Sequence, residues 1–265
     1  MQSERHIFKR EAMYTQFEVQ IAGEDATYAR QAADAAFREV ERINNLLNRY
    51  DAGSDIGQVN LLQAGEDVAV GIETIECLEK ARWVYRMSEG LFDPALGKGF
   101  EQLMIDRAGF RVGWKKRGAA ALDLGGIAKG FAIDKAAEVF ADWEVKQALI
   151  HGGTSTVLAL GRAWDVGVGG PWGVKAGYSV VSLQNRSLSG SGTDVQGDHI
   201  MNPKNGESAR NRAAWAMHRS AAFSDALATA FMLMPEKKIA SFCEKEEGVE
   251  AFIVDQNESF KRFGV

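Results

Sequence analysis

The chain has 265 residues, 46% of them hydrophobic and 25% charged, enough to bury one large core or two closely packed halves. Its formal net charge is −5, which argues against nucleic acid or an anionic membrane surface as partner; a bound polyphosphate would need cations and backbone N–H groups gathered locally. No apolar run reaches transmembrane length, and Met1 to His6 hold no apolar leader core or lipid-acceptor cysteine, so a cytoplasmic protein without membrane insertion is expected. The two cysteines, Cys77 and Cys243, lack metal or redox spacing and read as buried, reduced thiols.

His6 reads as part of a tail. From Met13 to Ile21 the chain alternates, with Met13, Thr15, Phe17, Val19 and Ile21 on one face of a half-buried strand. Asp25 is placed to cap a helix reaching about Leu47, with the stripe Ala29, Ala33, Ala36, Phe37, Val40, Ile43 and Leu47. A polar loop over 48–55 follows, then a second helix from about Ile72 to Ser88, stopped by Gly90. Leu91-Phe92-Asp93-Pro94 breaks the pattern, and 95–121 gives only a short helix near Phe100 to Met104 and then loop.

At Leu122-Asp123-Leu124-Gly125-Gly126-Ile127-Ala128-Lys129-Gly130 the spacing predicts strand, glycine turn and helix start, with Ala132, Ala136, Val139 and Phe140 at helical spacing beyond. Strands follow at Ala148 to His151, Ser155 to Leu160, Ala163 to Val168 and Tyr178 to Leu183, separated by glycines as in an antiparallel meander. Ser187 to Gly206 reads as a long loop. A strand near Trp215 to Ser220, helices at Asp225 to Met234 and Pro235 to Glu247, and a hairpin of Glu250 to Val254 with Glu258 to Phe263 complete the chain. Strands, then helices, then strands is the order of an α+β fold rather than a doubly wound one, and without a linker 1–265 reads as a single domain.

Three stretches carry chemistry. Around Gly125 and Gly126 the backbone can approach an anion or metal closely, and Lys129 adds a positive charge at the helix mouth. The loop is neither a Walker A nor a dinucleotide fingerprint, so an anion cradle and a plain tight turn with a surface lysine both stay open. Asp225 and Thr229 lie one helical turn apart, where a carboxylate and a hydroxyl either ligate a hard cation through oxygen or merely cap and pack. His199, in a loop rich in hydroxyls, is either an accessible general base or a surface residue; His151 and His218 sit in strands and read as structural.

Together these stretches resemble the ApbE-like family of FAD:protein FMN transferases. Ala12-Met13-Tyr14-Thr15 is similar to the family's Met-Gly-Thr strand, with tyrosine in place of glycine. Asn48-Arg49-Tyr50 with Ser54 and Asn60 resembles its first flavin-contacting loop, and Gly90-Leu91-Phe92-Asp93-Pro94 its Gly-x-Phe-Asp-Pro. Asp123 to Asp134 is nearly its Asp-Leu-Gly-Gly-Ile-Ala-Lys-Gly motif with the following aspartate, His199 to Gly206 resembles its His-Ile-x-Asp/Asn-Pro-x-x-Gly, and Asp225 to Thr229 its Asp-Ala-x-x-Thr. Ala95 replaces a usual threonine, Thr154 a usual aspartate, and 95–121 is shorter than usual.

The resemblance implies two tandem T-fold-like repeats packed as one unit, with the flavin nucleotide site between them. It implies Mg²⁺ on Asp225, Thr229 and the Gly126 carbonyl, and a FAD site lined by Met13, Tyr50, Leu91, Phe92, Asp93, Asp123, Lys129 and Met201. His199 would be the catalytic base, and the reaction would transfer FMN from FAD to a threonine or serine of an acceptor protein, releasing AMP. Hydrolysis of FAD to FMN and AMP, or FAD binding without catalysis, are the alternatives.

Overall fold

A computed structural model describes residues 5–116, 121–169, 179–193 and 200–264. The chain begins with the hairpin β1 (Arg5–Ala12) and β2 (Thr15–Ala22), followed by helix α1 (Ala26–Leu47). Then come α2 (Asp55–Leu61), β3 (Asp67–Ala69), α3 (Ile72–Met87), a 3-10 turn (Phe100–Gln102), β4 (Leu103–Asp106), β5 (Arg111–Trp114) and α4 (Ala128–Asp142). The second half holds β6 (Ala148–Gly152), β7 (Thr156–Leu160), β8 (Trp164–Val168), β9 (Ser179–Leu183), β10 (Arg186–Gly192), β11 (Asn211–His218), α5 (Ala221–Leu233), α6 (Glu236–Lys245), β12 (Glu250–Asp255) and β13 (Phe260–Phe263).

One eight-stranded antiparallel sheet organises these elements, in the order β1-β2-β6-β7-β10-β11-β12-β13. That order reads as one unit used twice. Hairpin β1–β2, helices α1 and α4 and hairpin β6–β7 make the first half-sheet; hairpin β10–β11, helices α5 and α6 and hairpin β12–β13 make the second. The β7–β10 pairing, Thr156 opposite Ser189 to Ala159 opposite Arg186, joins them. The fold is thus α+β with a tandem repeat. Between α1 and α4 the first unit carries an insertion with α2, α3 and the small sheet β3-β5-β4.

Period-2 alternation divides the strands between two cores. Ile150, Leu158, Ala214, Ala216, Ala251 and Ile253 face the helices and join Phe37, Phe131 and Phe231 in the main core. Their neighbours Leu149, Val157, Trp215, Met217, Phe252 and Val254 face the other way, where the hairpin β8–β9 covers them with Trp164, Val181 and Leu183.

Asp25 caps α1 as expected, its side chain accepting from the N–H groups of Thr27 and Tyr28. Other expectations change. His6, expected in a tail, lies in the edge strand β1 with Nε2 3.1 Å from the Glu24 carbonyl. The segment 95–121 yields β4 and β5, and the start of the presumed loop after Ser187 is the central strand β10. Ser and Gly there look like turn residues, but β7 and β11 hydrogen-bond to both edges, and small side chains let α5 pack closely. The strands at 164–168 and 179–183 pair with each other and leave the main sheet. Cys77 and Cys243 are buried and free, and burial pushes both thiols up, Cys243 to about 12. No helix among the described residues is long and apolar enough to cross a membrane.

Candidate active site

A cleft of about 670 Å³ opens at the seam of the two units. Every predicted site residue in the described chain lines it: Met13, Tyr50, Leu91, Phe92, Asp93, Asp123, Gly126, Lys129, Met201, Asp225 and Thr229. His199 lies outside the described residues, next to Ile200, which is in the lining.

The loop after α1 takes its shape from short polar side chains. Asn48 Oδ1 accepts from the Tyr50 N–H, and the Ser54 hydroxyl donates to the Asn48 carbonyl at 2.6 Å while capping α2 through the Gly57 N–H. Arg49 stacks 4.6 Å over the Tyr50 ring and forms an ion pair with Asp123 at 3.1 Å. The Asn60 side chain bonds both to the Leu122 carbonyl and to the Leu122 N–H. It therefore acts as a substitute strand for Leu122, and this contact, with the Asp123 N–H donating to the Pro94 carbonyl at 2.7 Å, fixes where Asp123 sits. Among the described residues, 121–124 form no strand before the glycine turn: side-chain and loop bonds hold them in place of a sheet.

Asp93 folds onto its own loop and accepts from the N–H groups of Ala95 and Gly97, both at 2.8 Å. Burial nevertheless holds its carboxyl above the usual aspartate range.

Helix α4 starts at Ala128 without a side-chain cap on Ile127. One of its orphan N–H groups, that of Gly130, donates instead to Asp225 Oδ2 on α5 at 3.1 Å. Asp225 is 3% exposed, and its Oδ1 accepts from the Thr156 hydroxyl at 3.3 Å. Lys129 Nζ lies 3.9 Å from the same carboxylate and donates to the Gly125 carbonyl at 3.1 Å. Thr229 Oγ1 is 3.3 Å from Ser191 Oγ and 3.4 Å from the Asp225 carbonyl. Ser220 caps α5, its side chain accepting from the Phe223 N–H, so Asp225 sits beyond the cap.

Gly126 completes the group. A Cβ there would lie 3.2 Å from Thr229 Oγ1 and 3.2 Å from the Phe92 ring, so only a bare backbone sits comfortably between them. One carboxylate and one hydroxyl beside bare glycine backbone offer oxygen donors with a single negative charge. That set suits a hard cation such as Mg²⁺, which fills its octahedron with phosphate oxygens and water, and is poor for zinc. Among the described residues no cluster of three or more His, Cys, Asp or Glu side chains could hold a metal ion.

Several contributors were not legible beforehand. Arg49 belongs to the Asn48-Arg49-Tyr50 stretch, but its ion pair with Asp123 was not legible; Thr156 and Ser191 lack distinctive local patterns, and Ser191 reaches Thr229 only through β10 packing on α5. Asp134, the aspartate that closes the glycine motif, had no assigned role. Its carboxylate accepts from the Ser220 hydroxyl and from the N–H groups of Ala221 at 2.6 Å and Ala222 at 3.1 Å, tying α4 to the start of α5. It borders a separate cleft of about 710 Å³ beside Lys80, His218 and Arg219, which no predicted site residue lines.

A duplicated hairpin–helices–hairpin unit with an oxygen-lined cleft at its seam defines an α+β scaffold of the two-repeat kind, with the site between the repeats. Comparison with known proteins supplies the family. The model of the ApbE family matches residues 13–110 and 98–253, and the chain belongs to that family. It is 24% identical over 272 residues to a FAD:protein FMN transferase of Chlamydia pneumoniae, covering 85% of this chain and 82% of the relative. The crystal structure of the ApbE protein of Thermotoga maritima superposes with a TM-score of 0.86 at 21% identity, over 98% of this chain and 97% of that one. The flavin transferase ApbE of Vibrio cholerae gives 0.86 at 17% identity, with the same coverage.

Proposed function

We propose that this protein transfers FMN from FAD to a threonine or serine hydroxyl of a partner protein and releases AMP. The observation that carries the reading is the convergence of Gly126, Lys129, Asp225 and Thr229, drawn from both units, in one cleft. Curated relatives named FAD:protein FMN transferase support the same chemistry. The whole chain, 1–265, acts as one domain in this reading, since neither unit alone makes the cleft.

Asp225, Thr229 and the Gly126 carbonyl are the groups assigned to Mg²⁺. The ion, when bound, offsets negative charge on the pyrophosphate. Lys129 adds a cation to the same side of the cleft, and Met13, Tyr50, Leu91, Phe92, Asp93, Asp123 and Met201 hold the dinucleotide. The acceptor hydroxyl oxygen attacks the FMN phosphorus, the bond from that phosphorus to the bridging oxygen breaks, and AMP leaves with the bridging oxygen. The hydroxyl proton passes to His199, the assigned base. Two free, buried thiols accord with a cytoplasmic setting.

The test incubates the protein with FAD, Mg²⁺ and candidate acceptor proteins, following AMP release and in-gel flavin fluorescence. AMP with a flavinylated acceptor is expected. AMP with free FMN would make the protein a hydrolase, and unchanged FAD a binding protein. His199→Ala should keep FAD affinity and slow transfer by about 10² to 10⁴-fold, the usual contribution of a general base. Equal loss of affinity and transfer would remove His199 from that role.

A further inference from the structure

The two-residue turn between β1 and β2 breaks a local rule without a packing reason. Ala12 pairs with Thr15, so Met13 and Tyr14 form the whole loop, and both hold left-handed backbone at φ 51° and 59°. Such hairpin turns require positive φ at both positions, which Gly, Asn and Asp supply readily and a bulky ring does not. Nor does the core repay the choice, because Tyr14 is 85% exposed. A residue kept in a disfavoured conformation, with its side chain in solvent, at the rim of a cleft, points to a ligand.

The Tyr14 ring stands at that rim, perpendicular to Tyr50, with centroids 6.3 Å apart and planes at 88°. Tyr50 is itself 72% exposed but held in place: Arg49 stacks on its ring, donates to its hydroxyl at 2.7 Å and is fixed in turn by Asp123. Two exposed rings at right angles make a corner with one fixed wall. A flat ring entering it lies face-on against one wall and meets the other edge-on, the two arrangements aromatic pairs prefer.

We propose that Tyr14 is a binding and specificity residue for the nucleotide, stacking on a planar heterocycle of the bound dinucleotide in the corner it forms with Tyr50. The proposal rests on the reading of the cleft as a FAD site. Isoalloxazine and adenine both offer the flat π-surface required, and separate titrations with FMN and AMP tell them apart.

The experiment compares FAD, FMN and AMP affinities and thermal midpoints of the wild type, Tyr14→Phe, Tyr14→Ala and Tyr14→Gly. Phenylalanine keeps the ring and should bind FAD within about twofold of wild type, whereas alanine and glycine should weaken FAD about tenfold, a typical worth of one aromatic–heterocycle stack. Glycine also suits the positive φ, so Tyr14→Gly should melt at or above the wild-type midpoint while binding less, which separates lost contact from lost fold. The mononucleotide whose affinity falls in parallel names the stacked ring. Undiminished FAD affinity in Tyr14→Gly overturns the proposal, as does unchanged affinity with a raised KM for the acceptor protein, which would give Tyr14 to the acceptor. Failure of the wild type to bind FAD removes the parent reading, and this one with it.

Discussion

Asp225 has two jobs that one substitution cannot separate but a pair can. Asp225→Ala strips the acceptor from the Gly130 N–H and from the Thr156 hydroxyl, both in a buried setting. Each buried donor left unpaired costs about 1–3 kcal/mol, and loss of a carboxylate at the N-terminus of α4 adds up to about 2 kcal/mol. The sum is about 2–8 kcal/mol, which for a chain of this size lowers the thermal midpoint by about 4–30 °C. Asp225→Asn keeps an oxygen for the Gly130 N–H and turns its NH₂ to the Thr156 hydroxyl, which can accept, so it should cost about 1 kcal/mol, or about 2–4 °C. A carboxylate that holds Mg²⁺ has no substitute in asparagine. Thermal melts with and without Mg²⁺ and ADP, alongside AMP release from FAD, distinguish the roles. Ligand at a hundred times its dissociation constant stabilises the wild type by about 2.7 kcal/mol. That gain should vanish in Asp225→Asn together with AMP release. A full Mg²⁺-dependent melting shift in Asp225→Asn, or wild-type AMP release, would refute the metal role and leave Asp225 a tie between α4 and α5.

Gly130→Ala should be worse than Gly126→Ala. A Cβ on Gly130 would stand 2.1 Å from the Ala221 carbonyl oxygen, backbone that cannot yield, so α4 and α5 must separate at a cost of about 3 kcal/mol; at Gly126 the 3.2 Å neighbours are side-chain atoms that can shift, and denaturant melts ranking the two the other way would contradict this packing. Asp134 gives a pH prediction. Burial holds its carboxyl above the usual range despite the opposing bonds from Ser220, Ala221 and Ala222 and the charge of nearby Lys80. The folded protein therefore binds that proton more tightly than the unfolded chain, and the group's stabilisation, full below the usual aspartate range, is lost as pH rises through the folded value. Asparagine cannot titrate, so the stability difference between wild type and Asp134→Asn should shrink across that window in melts at stepped pH; a difference that grows would mean that the bonds outweigh burial.

Local periodicity determined much of this protein. The α1 stripe from Ala29 to Leu47, its Asp25 cap, α3 and the closing hairpin are patterns that neighbouring residues impose on one another, so they are readable along the chain. The motif residues were legible too, because a glycine, a carboxylate or a lysine at fixed spacing announces its chemistry before any partner is known. Pairing was not legible. Strand β10, mostly Ser and Gly about Leu188, is a strand only because β7 and β11 hydrogen-bond to both its edges, and β1 alternates too weakly to declare itself without β2. The same holds at the site. Gly130 and Asp225 are 95 residues apart, and Leu122 and Asn60 are 62 apart. The first contact depends on how the two half-sheets meet at β7 and β10, the second on how the insertion between α1 and α4 folds back on itself, and no local window contains either. Tertiary structure alone decided that the carboxylate of the second unit would fill the open end of the first unit's helix.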